Sequence, residues 1–165
     1  MNSRLHYPIP THLSPAAQAA LAAPVQRPAY PAHDDIESWR DLVAAGDAAM
    51  LEFMPPVPEI VHERTEVIDG ATVYVHRAPG VPDGGPIYLS MHPGGLINMG
   101  GELCRRIGGL SALAMGIEIW SVDYRMPPAH PFPAGLDDCF AVYKHLLSTR
   151  GADQVIVAGV SAGGN

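Results

Sequence analysis

Val155-Ile-Val-Ala-Gly-Val-Ser-Ala-Gly-Gly164 is the stretch whose reading decides the fold. Val155–Val160 is a short apolar run and reads as a buried strand. It runs straight into Gly159-Val160-Ser161-Ala162-Gly163, a Gly-x-Ser-x-Gly pattern. A serine on a sharp strand-to-helix turn has strained φ/ψ and crowded neighbours, so side chains must be absent on either side of it. Such a turn lifts the hydroxyl above the sheet edge, where a following helix N-terminus favours developing negative charge. Taken alone, the pattern also fits a glycine-rich turn or a generic anion cradle.

The same grammar extends upstream. Ile87–Met91 and Ile117–Val122 read as further buried strands. Glu102–Ala114 and Ala134–Leu147 read as helices, the second with Leu136, Phe140 and Leu147 on one face. Strands alternating with helices predict βαβ crossovers and a mostly parallel sheet covered by helices, an α/β fold. Ahead of it, His62–Ile68 and Ala71–Arg77 flank Asp69-Gly70, a strong hairpin signal because a type I′ turn needs positive φ at both central positions. Residues 1–58 read as helices and linker. Ser14 and Pro15 open one helix; a capping box at Asp34 and Glu37 opens a second, whose Ile36, Trp39, Val43, Met50 and Phe53 recur at helical spacing until Pro55. Met50 and Met54 read as core or cap packing; Trp39 fits burial against its own helix face better than the lining of a pocket. The expected organisation is an N-terminal helical segment, 1–58, and a core, 59–165.

A second loop carries chemistry. His92-Pro93-Gly94-Gly95 follows the strand Ile87–Met91, at the carboxyl edge where parallel sheets place their working loops. Acyl transfer needs backbone N–H groups aimed at an oxyanion, and adjacent glycines let the backbone approach one. A turn holding a structural histidine is the plainer alternative. A third segment, Asp123-Tyr-Arg-Met-Pro-Pro-Ala-His-Pro-Phe-Pro-Ala134, reads as a proline-stiffened crossover in which any X-Pro bond can be cis. Asp123 and Arg125 fit a local hydrogen-bonded network there better than a catalytic role.

Composition excludes other classes. The 165 residues are 47% hydrophobic, far too apolar for a disordered chain. A net charge of −7 argues against nucleic acid and anionic membrane surfaces as partners. No apolar run is long enough for a membrane span. Arg4 ahead of the apolar Ala16–Ala23 invites a signal-peptide reading, but Pro8, Pro10, Pro15 and Gln18 interrupt it, so a cytoplasmic protein is expected. Cys104 and Cys139 have neither zinc-ribbon nor disulfide-framework spacing. There is no His-Glu-x-x-His, phosphate loop or dinucleotide fingerprint, so no metal and no cofactor are expected.

Together, the histidine–glycine loop, the Asp-Tyr-Arg…His-Pro-Phe-Pro-Ala segment and the Gly-x-Ser-Ala-Gly-Gly turn resemble the bacterial hormone-sensitive-lipase-like carboxylesterases. These are α/β-hydrolases, and the resemblance covers about Val61 to Asn165. It implies that Ser161 is the nucleophile and that Gly94, Gly95 and Ala162 supply the oxyanion N–H donors. His92 would support the loop without acting as the base, and the helical N-terminus would be the cap. The implied substrate is a small-molecule carboxylic ester with a small or medium uncharged acyl chain. Three departures stand out: Pro93 replaces the loop's first glycine, Val160 an aspartate common before the serine, and Ala129 the usual glutamate.

Serine needs an adjacent base, itself oriented by an acid, and in this fold both follow the nucleophile in the chain. None of the four residues after Ser161 is acidic or histidine, and all eight histidines lie before it. His130 is the one loose candidate. The fold ordinarily takes about 250–300 residues. A truncated core, stopping just after the nucleophile turn and inactive alone, is therefore expected. The alternatives are a non-catalytic ligand-binding protein on the same scaffold, or a short chain completed by a second chain or homo-oligomer, since an open sheet edge otherwise invites aggregation.

Overall fold

The computed structural model describes residues 8–23 and 30–165. The signal-peptide reading at Arg4 lies outside the described residues. The chain forms two compact units, Met1–Ala32 and His33–Asn165. In the first, α1 (Pro15–Ala22) starts as expected, with the Ser14 hydroxyl accepting from the Ala17 N–H and proline in the first turn.

The second unit opens with α2 (Ile36–Phe53). Its N-cap is Asp35, one residue later than the sequence suggests, and its carboxylate accepts from Ser38 N–H at 3.1 Å. No residue of α2 is buried, and the apolar stripe is largely exposed at Ile36, Met50 and Phe53. What seats the helix is polar. Arg106 donates to the carbonyls of Leu51 and Met54, groups that a helix end leaves without intrahelical partners.

Five strands follow: β1 (His62–Ile68), β2 (Ala71–Arg77), β3 (Ile87–Met91), β4 (Glu118–Asp123) and β5 (Val155–Gly159). They form one mixed sheet in the order β1-β2-β4-β3-β5. The β4, β3 and β5 strands are mutually parallel, and the β1–β2 hairpin joins β4 antiparallel. Asp69 (φ 49°) and Gly70 (φ 88°) make the hairpin turn, both on the positive side as a type I′ turn requires.

The crossover helices α3 (Glu102–Met115) and α4 (Ala134–Arg150) cover opposite faces of the sheet. The α4 side holds the main core: Val73, Val75, Ile87, Leu89, Trp120 and Val122 against Val142 and Leu146. Gly108 brings α3 close to the other face, where a side chain at that position would meet the His76 ring at 2.7 Å. The buried face of α4 differs from the one expected. Leu136 and Phe140 are exposed, whereas Asp138, Val142 and Leu146 are buried. A charged residue faces inward because Arg125 pairs with it at 2.8 Å and the Arg125 N–H donates to it, so the apolar pattern alone pointed the wrong way.

Candidate active site

The turn at the end of β5 is built by exclusion. Ser161 has φ 54°, a left-handed conformation that a serine rarely adopts, in a single 3₁₀ turn, Ser161–Gly164. A Cβ on Gly159 would fall on the Gly163 carbonyl and lie 2.7 Å from the Gly164 nitrogen. One on Gly163 would strike the Met91 carbonyl and come within 2.7 Å of the His92 oxygen. Both glycines of the pattern are thus required by backbone crowding, and the second presses the turn onto the end of β3. Ser161 itself is exposed. No histidine or carboxylate is hydrogen-bonded to it among the described residues.

The neighbouring loop, residues 92–101, is held by hydrogen bonds. His92 is 2% exposed, stacks on Tyr124 at 4.1 Å and 7°, and its carbonyl accepts from the Tyr124 hydroxyl at 2.7 Å. Its Nδ1 lies 2.7 Å from the Pro93 carbonyl oxygen, a bond only a protonated Nδ1 can donate. Burial holds this ring below the ordinary histidine range, so it is neutral and Nε2 is a bare lone pair. Gly94 (φ 121°) and Gly95 (φ 65°) follow; a Cβ on Gly94 would strike the Asn98 carbonyl group. The far end is braced from α2, where the Asp47 carboxylate accepts from Met99 N–H at 2.9 Å and from the Asn98 amide at 3.1 Å. Asp123 accepts from Gly101 N–H at 2.8 Å.

Sequence reasoning missed Asp47 and Asn98. Each is an ordinary polar residue, and the bond between them spans 51 positions. Of the anticipated residues, His92, Gly94, Gly95, Ser161 and Ala162 all lie at the carboxyl ends of β3 and β5, which pair in parallel with Met91 opposite Gly159.

A cavity of about 300 Å³, mostly apolar, opens beside the turn. Met91, Leu96, Tyr124, Met126 and Leu136 line it together with Ala162 and Gly163. His130 also reaches this cavity, from the crossover segment whose Pro127–Pro128 and Phe132–Pro133 bonds are cis. Asp123 and Arg125 both belong to hydrogen-bonded networks, as their sequence setting suggests. Among the described residues one group has the donors for a metal: His92, Cys104 and Asp123, each offering an atom within 4.8 Å of the others.

Comparison with known proteins agrees with this geometry. Residues 88–165 match the alpha/beta hydrolase fold family. Carboxylesterase NlhH of Mycobacterium tuberculosis is 37% identical over 67% of this chain and 38% of its own length. The structure of a hormone-sensitive lipase from a metagenome library superimposes with a TM-score of 0.64 at 31% identity, covering 87% of this chain and 44% of that one. The esterase EstE5 gives a TM-score of 0.66 at 25% identity, over 82% of this chain and 44% of its own. The chain therefore spans less than half the length of these relatives. Among the described residues, no helix is long and apolar enough to cross a membrane. Strand order, the two loops at one sheet edge and these relatives together place the chain among the carboxylesterase-like α/β-hydrolases, beside the hormone-sensitive-lipase esterases.

Proposed function

We propose that the protein is a serine carboxylesterase acting through an acyl-Ser161 intermediate. The observation that carries the reading is the serine's left-handed φ of 54° at the end of β5, one strand from a loop with two adjacent glycines. In the proposed reaction Ser161 Oγ attacks the ester carbonyl carbon while a base takes its proton. The carbonyl oxygen becomes the oxyanion, received by the N–H groups of Gly94, Gly95 and Ala162. Collapse expels the alcohol, which takes the proton back from the base. Water then repeats the sequence on the acyl group, freeing the acid and Ser161.

The mostly apolar cavity beside Ala162 supports small or medium uncharged acyl chains. The α2 part of the 1–58 segment, through Asp47, would act as a cap that braces the oxyanion loop. A cytoplasmic location, expected from the sequence, belongs to the same proposal.

Among the described residues, no base with an orienting acid is in place beside Ser161. His76 is buried against Glu63, His92 is committed to the loop, and His130 is exposed at the cavity rim. These 165 residues alone are therefore proposed to be inactive, the missing groups coming from further polypeptide, either continuing this chain or in a second one. The strand β5, expected to be buried, is an edge strand with Ile156 and Val157 about half exposed and Val160 just beyond it more so, apolar groups that such polypeptide would cover.

Hydrolysis of an aryl butyrate by the protein at its native length tests the reading. Turnover lost in Ser161→Ala is expected, with none from the 165-residue chain. Turnover unaffected by Ser161→Ala would refute the assignment. Saturable ester binding without turnover at native length would favour the ligand-binding alternative.

A further inference from the structure

We propose that His92, Cys104 and Asp123 form a binding site for a zinc-class transition-metal ion at the base of the oxyanion loop. Three separate elements bring them together. His92 follows β3, Asp123 ends the adjacent parallel strand β4, and Cys104 lies in the first turn of α3, the helix that connects those strands. One ligand atom from each lies within 4.8 Å of the other two. The βαβ crossover sets this proximity, so no helical or strand periodicity announces it.

An independent observation points to a ligand. His92 Nε2 is buried without a hydrogen-bond partner, and an orphaned buried acceptor costs about 1–3 kcal/mol unless something satisfies it. Nδ1 is taken by the Pro93 carbonyl at 2.7 Å, so the lone pair left for an ion is the one on Nε2. A ring whose other nitrogen donates to a backbone carbonyl is the usual setting of a metal-bound histidine. The carboxylate is oriented in the same way, by Gly101 N–H at 2.8 Å and the Tyr74 hydroxyl at 3.3 Å. His92 is further fixed by its stacking on Tyr124.

Donor chemistry selects the class of ion. One imidazole nitrogen, one sulfur and one carboxylate oxygen suit Zn²⁺ and its neighbours rather than magnesium or calcium, which prefer all-oxygen shells. Binding ionises the Cys104 thiol, whose proton leaves to solvent. The thiolate and the Asp123 carboxylate then balance the divalent charge, so the buried site carries no net charge. Bond lengths of about 2.0–2.3 Å place tetrahedral ligands roughly 3.3–3.8 Å apart. The group therefore contracts by up to about 1.5 Å on binding, within reach of side-chain rotation at Cys104. The ion ties β3, α3 and β4 together beneath Pro93 and Gly94. Its role is to stiffen the loop; it takes no part in bond making, and the site stands whether or not the esterase reading does.

Cobalt titration of the chelator-treated chain tests this. Co²⁺ alone is expected to produce a thiolate-to-cobalt charge-transfer band that saturates at one equivalent and is displaced by Zn²⁺ alone. Cys139→Ala keeps the band, Cys104→Ala abolishes it, and Asp123→Asn weakens binding by more than about 10-fold. If Cys104→Ala fails to fold, Cys104→Ser, nearly the same size, is expected to bind without the band. Absence of the band in the unmodified chain at millimolar cobalt would overturn the proposal. So would its persistence in Cys104→Ala or Cys104→Ser, or its loss in Cys139→Ala.

Discussion

The two loops of the candidate site stand side by side, yet they are held by opposite means. The glycine loop, residues 92–101, is tied down by side chains from three directions: Asp47 from α2, Asp123 from β4, and Tyr124 on the His92 carbonyl. The serine turn has no side-chain hydrogen bond among the described residues. Its shape comes from glycines that let backbone lie against backbone, Gly163 against the end of β3 and Gly159 against Gly163. A braced loop cannot move to relieve a clash, whereas a turn held by close approach can lift away.

The largest expected effect is therefore in the braced loop. Gly94→Ala places a Cβ on the Asn98 carbonyl at φ 121° and is expected to cost about 3–4 kcal/mol, read as a lowered urea midpoint. Acid comes next. His76 is fully buried beneath α3, facing Glu63, which also binds Arg105, and burial holds it below its ordinary value of 6.5. The unfolded chain takes up this proton more readily than the folded one. Stability should be complete above that value and fall as pH drops through it, by up to about 1.4 kcal/mol per pH unit. Urea melts from pH 7.5 to 5 should show this slope, and His76→Gln should reduce it, leaving the part that comes from His92, which burial also holds low.

Gly159→Ala sharpens the comparison. Its Cβ also meets backbone, yet the expected global cost is only about 1–2 kcal/mol, because the turn beyond can swing off. A cost equal to that of Gly94→Ala would mean that the turn is as rigid as the loop. Asp47→Ala is the smallest change. It strands the Met99 N–H in a partly exposed setting, for about 1 kcal/mol. Hydrogen exchange should accelerate at residues 98–101 and not in the turn. Both Asp47 bonds end on one oxygen, so Asp47→Asn should preserve most of the protection.

What could be read from the sequence follows the same division. The turn was legible because its tight backbone needs particular residues within five positions, and Gly159, Ser161 and Gly163 supply them. The hairpin was legible because Asp69-Gly70 meets a conformational demand few pairs satisfy. The bracing was not: Asp47 and Met99 are 52 positions apart, and nothing local distinguishes that aspartate from others on α2. The inward face of α4 was misread for a related reason. Asp138 is buried only because Arg125 answers it, a fact of tertiary pairing that hydrophobic periodicity does not carry. Likewise α2 shows an apolar stripe in sequence, yet its seat within the larger unit is made by Arg106 and Asp47.

Active-site labelling tests the central claim most directly. The protein together with the polypeptide proposed to complete it, treated with a fluorophosphonate that phosphonylates activated serines, should carry one adduct on the peptide containing Ser161, and Ser161→Ala should carry none. The 165-residue chain should remain unlabelled under the same conditions. An adduct on any other serine, or no adduct on the completed protein, would contradict the account of these two loops as one acyl-transfer site.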